Sequence, residues 1–263
     1  MVAGGTPEVA ARLALAMLAI QVGIGAANDL TDADRDAVVK PAKPIAAGLI
    51  APDMARSVAV AGLGIGLLLA ASVSPGALAL AAAGAATGLA YDLRLKGTAL
   101  AWLPFALGIP LLVLFAWWGA RQEFSPAILV AAGLAVPAGA ALAIANALPD
   151  AERDARTGVR SMATSLGLLR ASRAVVGLQA LVGSAAVASY LVLAGSGPTV
   201  AGLTGAWWAG VGLAASVVLL AIGVILGAGQ SVSWRQRGWE LQAVGLGLLA
   251  AAWTGGLASA GRL

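Results

Sequence analysis

The chain has 263 residues, 60% of them hydrophobic and only 11% charged, with a mean hydropathy of +0.91. That is about half the charge of a soluble protein, and stretches of about twenty apolar residues recur, so an all-α, polytopic membrane protein is expected and a β-barrel is excluded. Cysteine and histidine are absent, which excludes disulfides, thiolate nucleophiles and imidazole bases and leaves only oxygen ligands for a metal.

Eight spans are expected, at roughly 9–29, 54–74, 76–92, 99–119, 126–149, 173–194, 203–228 and 239–260. They read as one integral membrane domain, residues 1–263, of two pseudo-repeated halves at about 9–125 and 126–263. The first span ends in an Asp cluster rather than a cleavage site, so it is not read as a signal peptide. The net charge of +4 and pI near 10.1 are assigned to lipid headgroups, not nucleic acid, because the basic residues sit in short loops. Thirteen of the sixteen Lys and Arg fall on one side of this arrangement, against Arg12, Arg121 and Arg262 on the other. The positive-inside rule puts the richer side in the cytoplasm of a cell (inner) membrane. Gly62 and Gly66 form a GxxxG, read as close helix packing. Trp117, Trp118, Trp234 and Trp239 are read as aromatic belts.

The scarce acids are concentrated. Asn28 to Ala37 reads NDLTDADRDA and Asn146 to Ala155 reads NALPDAERDA, identical at seven of ten positions. Each copy closes an apolar run, and four spans separate the two, so both emerge on the same membrane face. At about 100° per helical residue, Asn28, Asp32 and Asp36 share an arc of roughly 80°, and Asn146, Asp150 and Asp154 repeat it. Asp34 and Glu152 point elsewhere and, with Arg35 and Arg153, read as a solvated face or local ion pairs. Carboxylates crowded on one face need a counter-charge, and a hard cation such as Mg²⁺ suits them. Lys40, Lys43, Arg94, Lys96, Arg156 and Arg160 stand close by in sequence. Acids and bases around one pocket suit a metal-bound diphosphate, and a pocket open to the bilayer suits one with a hydrocarbon tail.

Three segments carry a resemblance. NDLTDADRDAVVKPAKPIAAG at 28–48 resembles the first motif of the UbiA-type intramembrane prenyltransferases, NDxxDxxxD followed by a KPxRPI-like stretch. PDAERDARTGVRSMATSLG at 149–167 is similar to the family's second motif, and YDLRLKG at 91–97 to its Tyr-and-Lys loop. The resemblance implies a helical bundle around a central cavity. It implies Mg²⁺ bound by Asn28, Asp32, Asp36, Asp150 and Asp154, and diphosphate bound by Lys40, Lys43, Arg94, Lys96 and Arg160. Tyr91 matches the loop Tyr, near the leaving group or allylic carbon, and Asp29 or the diphosphate itself would take up a proton. The implied partners are a prenyl diphosphate, a hydrophobic acceptor (aromatic, quinone-precursor or lipid) and the bilayer. The wording after the first motif looks more like chlorophyll-synthase, homogentisate-prenyltransferase and archaeal ether-lipid members than menaquinone members.

Three departures stand out. Members commonly have a complete helix before the span that carries the first motif, nine spans in all. Lys43 stands where many have Arg, and Tyr91 and Lys96 are five residues apart where some members use four. Alternatives on the same scaffold are a terpene cyclase, a sugar-phosphate transferase acting on a polyprenyl phosphate, and a non-catalytic remnant. A cation transporter is the alternative from another class, disfavoured because its acids would lie near mid-membrane.

Overall fold

The computed structural model describes residues 5–194 and 200–263, and among these there are helices and no strands. The helices are α1 (Pro7–Thr31), α2 (Ala33–Val39), α3 (Pro52–Ala71), α4 (Pro75–Ala90), α5 (Leu103–Arg121), α6 (Pro126–Ala147), α7 (Ala151–Thr157), α8 (Met162–Leu166), α9 (Leu168–Ala194), α10 (Val200–Gly227) and α11 (Val232–Ser259). A π-helical turn, Tyr91–Leu95, continues α4. Eight helices are long and apolar enough to cross a membrane: α1, α3, α4 with its π turn, α5, α6, α9, α10 and α11.

The starts of these helices are written in the sequence. Pro7, Pro75 and Pro126 each open a helix behind Thr6, Ser74 and Ser125, whose hydroxyls accept from the third backbone N–H of the helix. Proline at the first position costs no hydrogen bond, and the hydroxyl satisfies one of the unpaired N–H groups. Ser231 caps α11 in the same way. Two spans start well before the expected 173 and 239, α9 at Leu168 and α11 at Val232. Hydropathy stops at charge but the helical backbone does not. Arg170, Arg173, Arg235 and Arg237 therefore lie on helices rather than in loops.

The chain divides into two compact units, the first running to Lys96 together with Leu114–Glu123, the second comprising Gly97–Val113 and Phe124–Leu263. In the first, α1 packs along α3 at backbone distance. A Cβ placed on Gly62 would stand 2.8 Å from the Ala19 carbonyl oxygen and from the Gly23 nitrogen. Packing of this kind is how helices associate where lipid removes the hydrophobic drive. Leu13, Ala16, Ile20, Ala70, Ala81 and Phe115 fill the core of this unit. In the second, α10 and α11 are equally close, since a Cβ on Gly238 would lie 2.4 Å from the Gly227 nitrogen. Its largest core gathers Val182, Tyr190, Leu213, Leu220, Leu249 and Trp253.

The tryptophan expectation needs correcting. Trp117 is buried, with the Arg121 guanidinium 5.6 Å from its ring, and the Trp118 indole covers Gly76. Gly76 makes room for the Trp118 ring, and both rings pack within the unit rather than at an exposed belt. Trp234 is exposed, as a belt residue should be.

Candidate cation and diphosphate site

The first motif bends at Asp32, which ends α1 and begins α2 with φ −93° and ψ −3°. The bend keeps the helical register. Asp32 N–H donates to the Asn28 carbonyl at 3.0 Å, Asp36 N–H to that of Asp32 at 2.7 Å, and Lys40 N–H to that of Asp36 at 2.7 Å. Asn28, Asp32 and Asp36 therefore stack one turn apart on one face, as their spacing requires.

Cationic side chains of the same unit meet that face. Lys43 Nζ bridges Asp29 Oδ1 at 2.8 Å and Asp36 Oδ2 at 2.7 Å. Lys96 is ion-paired to Asp32. The hydrogen bond from Lys43 holds the Asp36 carboxyl below its ordinary range, against the opposing effect of its burial. The same contacts, Asp29 first and Asp36 second, push the Lys43 ammonium above its usual value.

The loop Tyr arrives by way of the π turn. Lys96 N–H donates to the Tyr91 carbonyl at 2.8 Å, a five-residue step, and Lys96 Nζ sits 6.0 Å from the centre of the Tyr91 ring. The extra residue between Tyr91 and Lys96 is thus absorbed by a widened turn, a device found often at functional sites. Lys96 consequently stands beside Tyr91 despite the longer spacing. Lys40 and Arg94 are exposed.

The second motif repeats the backbone of the first only from its first aspartate onward, because α6 ends at Ala147 and residues 148–150 form a turn in which Ala151 N–H donates to the Leu148 carbonyl at 3.4 Å. Asp150 opens α7 with φ −95° and ψ −5°, and Asp154 N–H donates to its carbonyl at 2.8 Å. The side chains differ. Arg153 pairs with Asp150 at 3.0 Å and approaches Asp154 at 3.9 Å. Asp150 is half-exposed, Asp154 is buried and Asn146 is exposed. Gly158, at φ +74°, ends α7 in a conformation suited to glycine. Arg160 is exposed, and its N–H donates to the Gly97 carbonyl at 3.2 Å.

Sequence reasoning missed two groups. Glu152, read as solvated or locally paired, instead holds Arg235 of α11 at 3.1 Å, eighty-three residues away, and Arg235 is buried. Asp92, on the π turn, is buried and accepts a hydrogen bond from Asn28 Nδ2 at 2.6 Å. A signal for Asp92 existed, since it is an acid next to the motif tyrosine. Arg235 gave none beyond its charge. An apolar groove of about 750 Å³ lies between α9 and α10, within the size range of ligand pockets. No motif residue lines it.

The donor set fits a hard divalent cation in chemistry, because every ligand is an oxygen. Among the described residues no three acids already surround one point, and in the first unit lysine ammonium groups occupy the carboxylates. Among the described residues, Lys43 and Lys96 are the cations in ion-pair contact with Asp29, Asp32 and Asp36, and Asp92 joins them through Asn28. Counted as ionised, these four carboxylates outnumber the two ammonium groups in contact with them, a balance that a divalent ion would improve.

Comparison with solved structures places this architecture. A digeranylgeranylglyceryl phosphate synthase structure matches with a TM-score of 0.72 at 16% identity, over 95% of this chain and 85% of that one. A UbiA homolog from Archaeoglobus fulgidus bound to GPP and Mg²⁺ matches at 0.71 and 16%, over 95% and 89%. The apo UbiA homolog from Aeropyrum pernix K1 matches at 0.71 and 19%, over 95% and 91%. No curated protein sequence matches the chain. The model of the UbiA prenyltransferase family matches residues 1–239. With its helical fold and its paired acidic motifs, the chain is a multi-pass membrane protein that belongs to the UbiA prenyltransferase family.

Proposed function

We propose that the chain transfers a prenyl group from an allylic prenyl diphosphate to a hydrophobic acceptor (aromatic, quinone-precursor or lipid), by ionisation of the allylic C–O bond. The observation that carries this reading is the repeated turn, Asp32-Asp36 and Asp150-Asp154, built with the same backbone and preceded by Asn28 and Asn146 at two span ends of a chain from this family. The A. fulgidus homolog has been seen with GPP, DMAPP and Mg²⁺, which supports the substrate class and the cofactor.

Asn28, Asp32, Asp36, Asp150 and Asp154 are the residues that would hold Mg²⁺. When bound, the ion neutralises diphosphate oxygens and so makes the diphosphate a better leaving group. The remaining work falls to the protein. Lys43 and Lys96, which sit on carboxylates in the structure, turn to the diphosphate as charge develops on it, and Lys40, Arg94 and Arg160 add donors at its edge. Tyr91 presents its ring at the allylic carbon, where a π face stabilises developing positive charge. The acceptor attacks that carbon. Its proton passes to the departing diphosphate, or to Asp29 once Lys43 has left it. The thirteen cations of the motif side orient this site to the cytoplasm of the cell membrane.

The test is product analysis. Purified protein in lipid nanodiscs receives geranylgeranyl diphosphate and Mg²⁺, with and without a lipid extract as acceptor source. Prenylated acceptor formed only when the extract is present supports the reading. A cyclised hydrocarbon formed without acceptor replaces it with terpene cyclisation.

A further inference from the structure

Asp92 lies outside both acidic motifs, yet it is drawn into the first of them. It is only 8% exposed. Its Oδ1 accepts from Asn28 Nδ2, and its Oδ2 is buried with no hydrogen-bond partner. The corresponding Asn146 of the second copy is exposed. The asparagine at the same motif position is therefore hydrogen-bonded to a buried acid in one copy and exposed in the other.

The contact has a chemical consequence. An asparagine amide carries its donors on one branch and its acceptor on the other. With Nδ2 committed to Asp92, the amide is restrained and its carbonyl oxygen is the branch left for a ligand. Partners of this kind orient ligands and are typically worth about 10- to 100-fold in metal affinity. The unpartnered Oδ2 adds a second demand. A buried carboxylate oxygen without a donor is costly, and the negative charges of Asp32 and Asp29 act on the same carboxylate, with the Lys96 ammonium opposing them.

We propose that Asp92 is a positioning residue of the first cation site. It fixes the Asn28 amide as a ligand and supplies negative charge that draws the divalent ion to this copy of the motif. The inference rests on the metal-binding role proposed above for that copy.

The experiment is a Mn²⁺ titration of the full chain in lipid nanodiscs, followed by the electron paramagnetic resonance signal of free Mn²⁺. Asp92→Asn keeps an acceptor for Asn28 but removes charge, and is expected to weaken binding about tenfold; Asp92→Ala removes both and approaches 100-fold. In an Asn28→Ala background the effect of Asp92→Ala should shrink to about tenfold, because its orienting part is already lost. Affinity of Asp92→Asn and Asp92→Ala within about twofold of the unmodified chain overturns the proposal. An undiminished effect of Asp92→Ala in the Asn28→Ala background overturns the positioning role. Should Asp92→Ala fail to fold, judged by melting without metal, Asp92→Ser takes its place. Failure of the unmodified chain to bind Mn²⁺, or an Asp32→Asn variant that binds normally, removes the metal role of the motif itself. Loss in Asp32→Asn with silence in both Asp92 variants removes only the part assigned to Asp92.

Discussion

Replacing Lys43 with Gln separates two jobs that the structure gives this side chain. Its ammonium bridges Asp29, whose side chain is 42% exposed, and Asp36, whose side chain is 8% exposed. The exposed leg is screened and contributes about 0.5 kcal/mol. The Asp36 leg is worth more, because its loss strands a largely buried carboxylate, at about 1–3 kcal/mol. Together they predict a loss of about 2 kcal/mol without metal, which for a chain of this size lowers the melting temperature by about 5 °C. The sign of the pH dependence is fixed as well. Asp36 binds its proton more weakly folded than unfolded, so the stabilisation is complete above about pH 4, its ordinary carboxyl range, and fades as pH falls through the depressed folded value. Lys43→Gln should flatten that acid limb. Mg²⁺ should restore the lost stability, since a divalent ion takes the place of the ammonium, while affinity for geranylgeranyl diphosphate should fall. Melting curves of detergent-solubilised protein between about pH 2 and 7.5, with and without Mg²⁺, read all of this. A Lys43→Gln variant with unchanged melting and an unchanged acid limb would refute the reasoning.

Further expectations follow from other contacts. Arg235→Met leaves Glu152 half-exposed and without its long-range partner, so α7 should loosen and Mn²⁺ affinity fall about threefold or more, with a far smaller effect from Arg237→Met on the exposed side of α11. Gly62→Val drives a side chain into the backbone of α1 and should cost about 1–3 kcal/mol, seen as a lower melting temperature, whereas Gly64→Ala, with open space around it, should be neutral. Because the chain has no cysteine, single substitutions report sidedness cleanly. Asp34→Cys and Arg156→Cys should react with an impermeant maleimide only in inside-out vesicles, and Gln122→Cys only in right-side-out cells; the reverse pattern would overturn the assigned orientation.

The span count, the helical class and the family were readable from the sequence because each rests on local information. A run of apolar residues states its own length, and Ser-Pro or Thr-Pro at 6–7, 74–75 and 125–126 states where a helix begins. The arc of the first motif was readable too, since helical spacing sets it and the bend at Asp32 preserves it, whereas the turn at 148–150 interrupts the second motif between Asn146 and Asp150. What escaped were side chains defined by a distant partner. Glu152 looks solvated until α11 brings Arg235 to it. Asp92 looks like a loop acid until the π turn delivers it to Asn28. Lys43 and Lys96 were read as phosphate ligands, and the structure places them on carboxylates. Sequence shows that opposite charges are neighbours, but it does not show which of them are in contact. The five-residue step from Tyr91 to Lys96 looked like a departure and is accommodated by one wider turn.

The most direct test of the account is the release of diphosphate from geranylgeranyl diphosphate by the purified chain in nanodiscs, measured with Mg²⁺ and after its removal by chelation. Release that requires the metal, and that falls by at least about 100-fold in both Asp32→Ala and Asp150→Ala, is the predicted result. Release that survives chelation, or that proceeds unchanged when either aspartate is gone, would contradict it.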